Sequence, residues 1–69
     1  MLTKVFSANG HQIAAYDGKN VYDPQGNQLA TKRENSEIHA YDIQGNHVMT
    51  IRGNNYYDRE DNQLATRRG

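Results

Sequence analysis

The chain has 69 residues, no cysteine, and eight basic against eight acidic side chains. Hydrophobic residues make up 35% of it, below the ~45–50% of an ordinary globular domain, which excludes a disulfide framework and puts a large core out of reach. The balanced charge provides no overall field toward nucleic acid or an anionic membrane, and no apolar run is long enough to span a bilayer.

In chain order, "MLTKVFSANG" opens the sequence without the apolar stretch of a signal peptide. Cytoplasm is therefore the default expectation, with a fragment of a larger surface protein as the alternative. "FSANGHQIAAYD" follows from Phe6, then "YDPQGNQLATKR" from Tyr22, "YDIQGNHVMTIR" from Tyr41 and "YDREDNQLATRR" from Tyr57. These four copies begin at residues 6, 22, 41 and 57, with spacings of 16, 19 and 16, so the chain reads as two pairs joined by a longer link at 34–36. One domain, 1–69, made of four repeats of a single supersecondary unit is the expectation.

The unit is a β-hairpin. In "DPQG" at 23–26, aspartate caps the turn, proline presets the second position, and glycine takes the left-handed conformation that follows. Ser7 with Gly10 and Asp42 with Gly45 keep the pattern, and Asp61 stands in the glycine place of the last copy. "DGKN" at 17–20 and "RGNN" at 52–55 turn the opposite ends. No helical period is sustained, so the predicted fold is all-β: a meander of about eight short strands, as a small barrel or a twisted sheet, completed by oligomerisation if one copy cannot bury its core. A homo-oligomer or protein partner is expected.

A bulged turn sets register. If Asp23 pairs with Asn27, Tyr22 opposes Gln28 and Val21 opposes Leu29. Strict alternation then collects Val5, Ile13, Ala15, Val21, Leu29, Thr31, Ala40, Val48, Thr50, Tyr56, Leu64 and Thr66 on an aliphatic face. The other face holds Phe6, Tyr22, Tyr41 and Tyr57 with Ala14, Ala30, Met49 and Ala65, opposite Gln12, Gln28, His47 and Gln63.

That second face carries the candidate site. Tyr22, Tyr41 and Tyr57, beside Gln28, His47 and Gln63, could stack sugar faces or unstacked bases while the amides bond hydroxyls or base edges. The structural alternative, preferred here, is a second core packed against another sheet or a partner. Arg33, Arg52 and Arg68 recur at one offset and form a candidate basic edge for phosphate or an acidic partner; the plainer reading is that charged strand ends protect the edge from aggregation.

His11, His39 and His47 have no zinc spacing, and the Asp-x-x-Gly turns lack the alternating oxygen ligands of a calcium loop, so neither metal nor other cofactor is expected. Ser7 and Ser36, the only serines, fall in predicted turns, and no phosphate loop is present. The expectation is a non-enzymatic binding or assembly module working through an aromatic face or a strand edge. A carbohydrate- or single-strand-binding module is the alternative, and a nucleic-acid partner is the less favoured of those ligands.

The Tyr-Asp copies resemble the YD repeats of bacterial rearrangement-hotspot toxins and of teneurins. Tyr22, Asp23 and Gly26 match that pattern, as do Tyr41, Asp42 and Gly45; the copy at Tyr57 keeps Tyr-Asp, and Phe6-Ser7 keeps only the ring and the turn. The resemblance implies β-strand spirals or shells, carbohydrate binding and cell contact, in a bacterial or phage setting. It departs from the family in length, since those arrays are much longer and one copy of this chain could not enclose a cargo.

Overall fold

The computed structural model describes residues 2–68. Eight strands follow one another: β1 (Thr3–Phe6), β2 (Gln12–Tyr16), β3 (Val21–Tyr22), β4 (Ala30–Glu34), β5 (Glu37–Tyr41), β6 (His47–Arg52), β7 (Asn55–Asp58) and β8 (Ala65–Arg68). They form two antiparallel four-stranded sheets, β3-β2-β1-β8 and β4-β5-β6-β7. The expected all-β meander is present, and the choice left open between barrel and twisted sheet falls to packed sheets. At each corner the ladder thins to one isolated bridge, Tyr22 with Gln28 and Tyr57 with Gln63, so no closed barrel forms. No helix of the described residues is long and apolar enough to cross a membrane.

The predicted turns are made by the predicted chemistry. The Asp23 amide donates to the Asn27 carbonyl at 2.8 Å, and the Gly26 amide to the Asp23 carbonyl at 3.0 Å. Asp42 and Asp58 repeat both bonds with their own turns. Asp61 takes φ 68° where the other copies place glycine, a conformation that aspartate tolerates better than most residues. The link at 34–36 is a two-residue hairpin turn with Asn35 and Ser36 both at positive φ, which matches the right-handed twist of its strands.

The two sheets are copies of each other. A shift of 35 positions carries Phe6 to Tyr41 and Tyr22 to Tyr57, and it carries the order β3-β2-β1-β8 onto β7-β6-β5-β4. Each half lends its last strand to the other half's sheet, so β4 lies beside β5, and β8 beside β1. Because every neighbouring pair is antiparallel, the turns at 7–10, 23–26, 42–45 and 58–61 gather at one end of the sandwich. The turns at 17–20, 35–36 and 53–54 gather at the other, with Thr3 and Arg68.

The core lies between the sheets and is built from Val5, Ala14, Val21, Ile38, Ala40, Met49, Ile51, Tyr56 and Leu64. It differs from the face drawn by strict alternation at two places. Phe6 pairs with Gln12 but Val5 pairs with Ala14, and Tyr41 pairs with His47 but Ala40 pairs with Met49. An extra residue, Ile13 or Val48, is thus inserted into each ladder, and from there on the side chains change faces. Ala14 and Met49 turn into the core, while Ala15 and Thr50 turn outward. Thr31 and Thr66 also fail to be core: β4 and β8 are exposed edge strands with nothing packed over them.

Candidate functional site

The rings predicted for one face lie on the outside of the sandwich, divided between its two sheets. Tyr22 and Phe6 stand on β3 and β1, and Tyr41 and Tyr57 on β5 and β7; all four are half-buried. Their cross-strand partners are those expected: Gln28 opposes Tyr22, Gln63 opposes Tyr57, and His47 opposes Tyr41. The amides are already engaged. Gln28 Nε2 donates to Asn20 Oδ1 at 3.3 Å, and Gln63 Nε2 makes the equivalent bond to Asn55 at 3.2 Å. Tyr22 donates its hydroxyl to Asp17 Oδ2 at 3.2 Å.

The outer face of β4-β5-β6-β7 is crossed by a polar chain that sequence reading missed. Glu37 opposes Arg52 across β5 and β6, and Arg52 Nε donates to Glu37 Oε2 at 2.8 Å. The guanidinium lies 4.9 Å from the Tyr57 ring centroid and reaches Asp61 Oδ1 at 3.3 Å. That hydrogen bond to Glu37, and then the charge of the same carboxylate, hold the Arg52 pKa above its ordinary value. On the other side, Glu37 Oε1 stands 3.3 Å from His39 Nε2. His39 Nδ1 and His47 Nε2 both lie within hydrogen-bonding distance of the Thr50 hydroxyl, at 3.2 and 2.8 Å. The Tyr41 and His39 rings flank His47, with centroids 5.5 and 5.7 Å away.

Thr50 is 3% exposed and its hydroxyl is shared between two imidazoles, so it braces the face rather than presenting a nucleophile. Thr50→Val keeps the shape and removes the brace. We expect it to cost about 1–3 kcal/mol, because two imidazole nitrogens lose their partner, read as a lower urea midpoint at unchanged slope. Among the described residues, no three His, Asp or Glu side chains come together as a metal site.

Arg33, Arg52 and Arg68 do not line one edge. Arg52 is spent within its sheet as above; Arg33, next to last in β4, donates to the Lys19 carbonyl at 3.2 Å; Arg68 ends β8 on the other sheet. Arg68 lines a shallow cleft of ≈ 290 Å³ with Thr3, Tyr16, Gly18, Gly53 and Tyr56. Tyr16 and Tyr56 meet edge to face there, with centroids 6.3 Å apart. Burial raises the Tyr56 pKa, so the phenol stays neutral. At the opposite, turn end, Ile13, Leu29, Val48 and Ile43 line a larger cleft of ≈ 740 Å³ with Asp23 and Asp42. Ile43 itself is 96% exposed. Its place after Tyr-Asp, in a slot filled by proline or arginine in two other copies, is the signal that could have found it.

No family model matches the sequence, and comparison with curated proteins and with solved structures returns no match.

Proposed function

We propose that the chain is a non-enzymatic binding and assembly module that makes protein contacts with its exterior. The observation that carries this reading is that the core between the sheets is assembled without Phe6, Tyr22, Tyr41 or Tyr57. Four aromatic side chains are costly to leave on the surface of a chain so poor in apolar residues, and rings of this kind are enriched where proteins meet. Arg67 and Arg52 lie over the Phe6 and Tyr57 rings at 5.7 and 4.9 Å, a composition typical of contact surfaces. The exposed edges of β4 and β8 add backbone groups that a partner strand could pair with. The Tyr-Asp repeats, if they share the habit of the YD arrays they resemble, belong with the same assembly role.

A carbohydrate- or single-strand-binding module is the second reading, favoured by the Tyr–Gln pairs at both corners. The division of the rings between opposite faces favours protein contact over it, because no platform longer than two rings is available to track an extended ligand. The test compares the wild type with a Tyr22→Ala, Tyr57→Ala variant. Self-association is followed by light scattering, and binding is followed on immobilised glycans and single-stranded oligonucleotides. We expect the variant to keep its circular dichroism spectrum and lose about tenfold in association, about 1.4 kcal/mol. Ring-dependent capture of a glycan or oligonucleotide would move the conclusion to the second reading. No association and no capture by the wild type would end both.

A further inference from the structure

The balanced charge of the chain conceals a polarised molecule. The four turns at 7–10, 23–26, 42–45 and 58–61 carry Asp23, Asp42, Asp58, Glu60 and Asp61 against Arg59, a side-chain balance of −4 over those segments, with Lys4 sharing a cleft with Asp23. The other seven cations share the rest of the molecule with Asp17, Glu34 and Glu37, a balance of +4. Arg52 reaches across to Asp61 and offsets part of this, but no described ion pair ties Asp23, Asp42 or Asp58 to a basic side chain. The molecule measures 26 × 23 × 22 Å, several times the ~8 Å over which charge is screened at physiological salt, so a partner meets one end or the other and not their sum.

Each end also has a shape. The turn end exposes Ile43, 96% accessible, at the rim of the larger cleft and beside the ionised Asp42. The opposite end is concave, with the Tyr16–Tyr56 pair in the cleft and the Arg68 cation lining it. Two turn ends brought together would oppose like charges, which disfavours a symmetric contact through Ile43. A turn end against the opposite cleft sets an exposed aliphatic side chain beside the Tyr16 ring and a carboxylate beside a guanidinium.

Resting on the assembly reading above, we infer that copies of this chain associate head to tail, with Ile43 of one copy seated in the cleft of Tyr16, Tyr56 and Arg68 on the next and Asp42 facing Arg68. Such a contact joins two different surfaces and leaves one of each free, so it propagates into open chains or rings rather than stopping at a pair.

The test is light scattering behind size exclusion over a dilution series, at about 0.01 M and about 1 M salt, where the screening length falls from about 30 to about 3 Å. The wild type is expected to exceed the mass of a dimer as concentration rises, and less so at high salt. Ile43→Asp spoils only the turn end, and Arg68→Glu spoils only the cleft; both positions are exposed, and circular dichroism verifies that each variant folds. Each variant alone is expected to associate at least tenfold more weakly than the wild type. Mixed, the two should form a 1:1 dimer that does not grow, because one supplies an intact cleft and the other an intact turn end.

A wild type that stays monomeric at every concentration overturns the inference and the self-association expected of the rings with it, leaving ring-dependent capture of a glycan or oligonucleotide as the remaining reading. Variants that assemble as the wild type does, or a mixture that gives no dimer, overturn it too, and leave assembly through the outer faces or edges standing.

Discussion

Met49→Ala is expected to unfold a large part of the population at room temperature. Met49 is fully buried and is the largest side chain in the core to be so. Its cross-strand partner is Ala40, and the equivalent position on the other sheet is Ala14, so the small residues around it have little bulk with which to fill a hole. A buried methionine cut back to alanine costs about 2–5 kcal/mol. At roughly 0.05–0.15 kcal/mol per residue, a domain of this length holds only about 3–10 kcal/mol in total. The loss would lower the melting temperature by about 8–40 °C, taking about 4–8 °C per kcal/mol for a domain of this size. Met49→Leu, which conserves volume, should cost less than about 1.5 kcal/mol. A loss below about 1 kcal/mol for the alanine variant would mean that the space between the sheets is not where the stability lies.

Acid is expected to unfold the protein through its turns. Asp23, Asp42 and Asp58 each accept a hydrogen bond from the backbone amide four residues on, at 2.8 to 2.9 Å, and this is the largest cause of their lowered pKa. The Asn27, Asn46 and Asn62 side-chain amides and the amides of Gln25, Gln44 and Glu60 add to it. Asp17 is lowered in the same direction, first by the Asn20 amide and then by that of Lys19. All four sit below the ordinary value of 3.8 in the folded chain and return to it on unfolding. The folded state therefore binds fewer protons, so its stabilisation is complete above 3.8 and is lost as pH falls through the lower, folded values. Urea midpoints measured from about pH 5 down to about pH 1 should drop over that range, the span in which paired carboxylates protonate. Asp42→Asn keeps an acceptor for the amide without titrating, and should flatten the drop in proportion to one turn of the four. An unchanged midpoint throughout would show that the carboxylates bond their turns no better in the folded chain than in the unfolded one.

The turn chemistry was legible because it is local. An aspartate three places before a glycine bonds the same few amides wherever the chain is placed, and the Tyr22–Gln28 and Tyr57–Gln63 pairings followed from the turns alone. The face assignment held in β1, β3, β5 and β7, where Val5, Val21, Ala40 and Tyr56 are buried, but failed in β2 and β6. There an inserted residue, Ile13 or Val48, breaks the alternation, and nothing near it in the sequence marks the insertion. The consequence was large: Met49, the largest fully buried side chain, had been placed on the aromatic face. The candidate rings were likewise found by type and spacing, but their division between two outer faces was not.

The hairpin unit, its turns, its four-fold repetition and the all-β class are written in the chain locally, since each rests on contacts between residues a few positions apart. Only the tertiary structure decided how the hairpins combine. The pairing of β8 with β1 joins the two ends of the chain, and each half gives a strand to the other's sheet; no local preference encodes either event. The Glu37–His39–Thr50–His47 chain, the hollow at Arg68 and the separation of −4 from +4 all depend on those long-range pairings. Composition counts charges without placing them, and it is their placement by the folded strands that a partner meets.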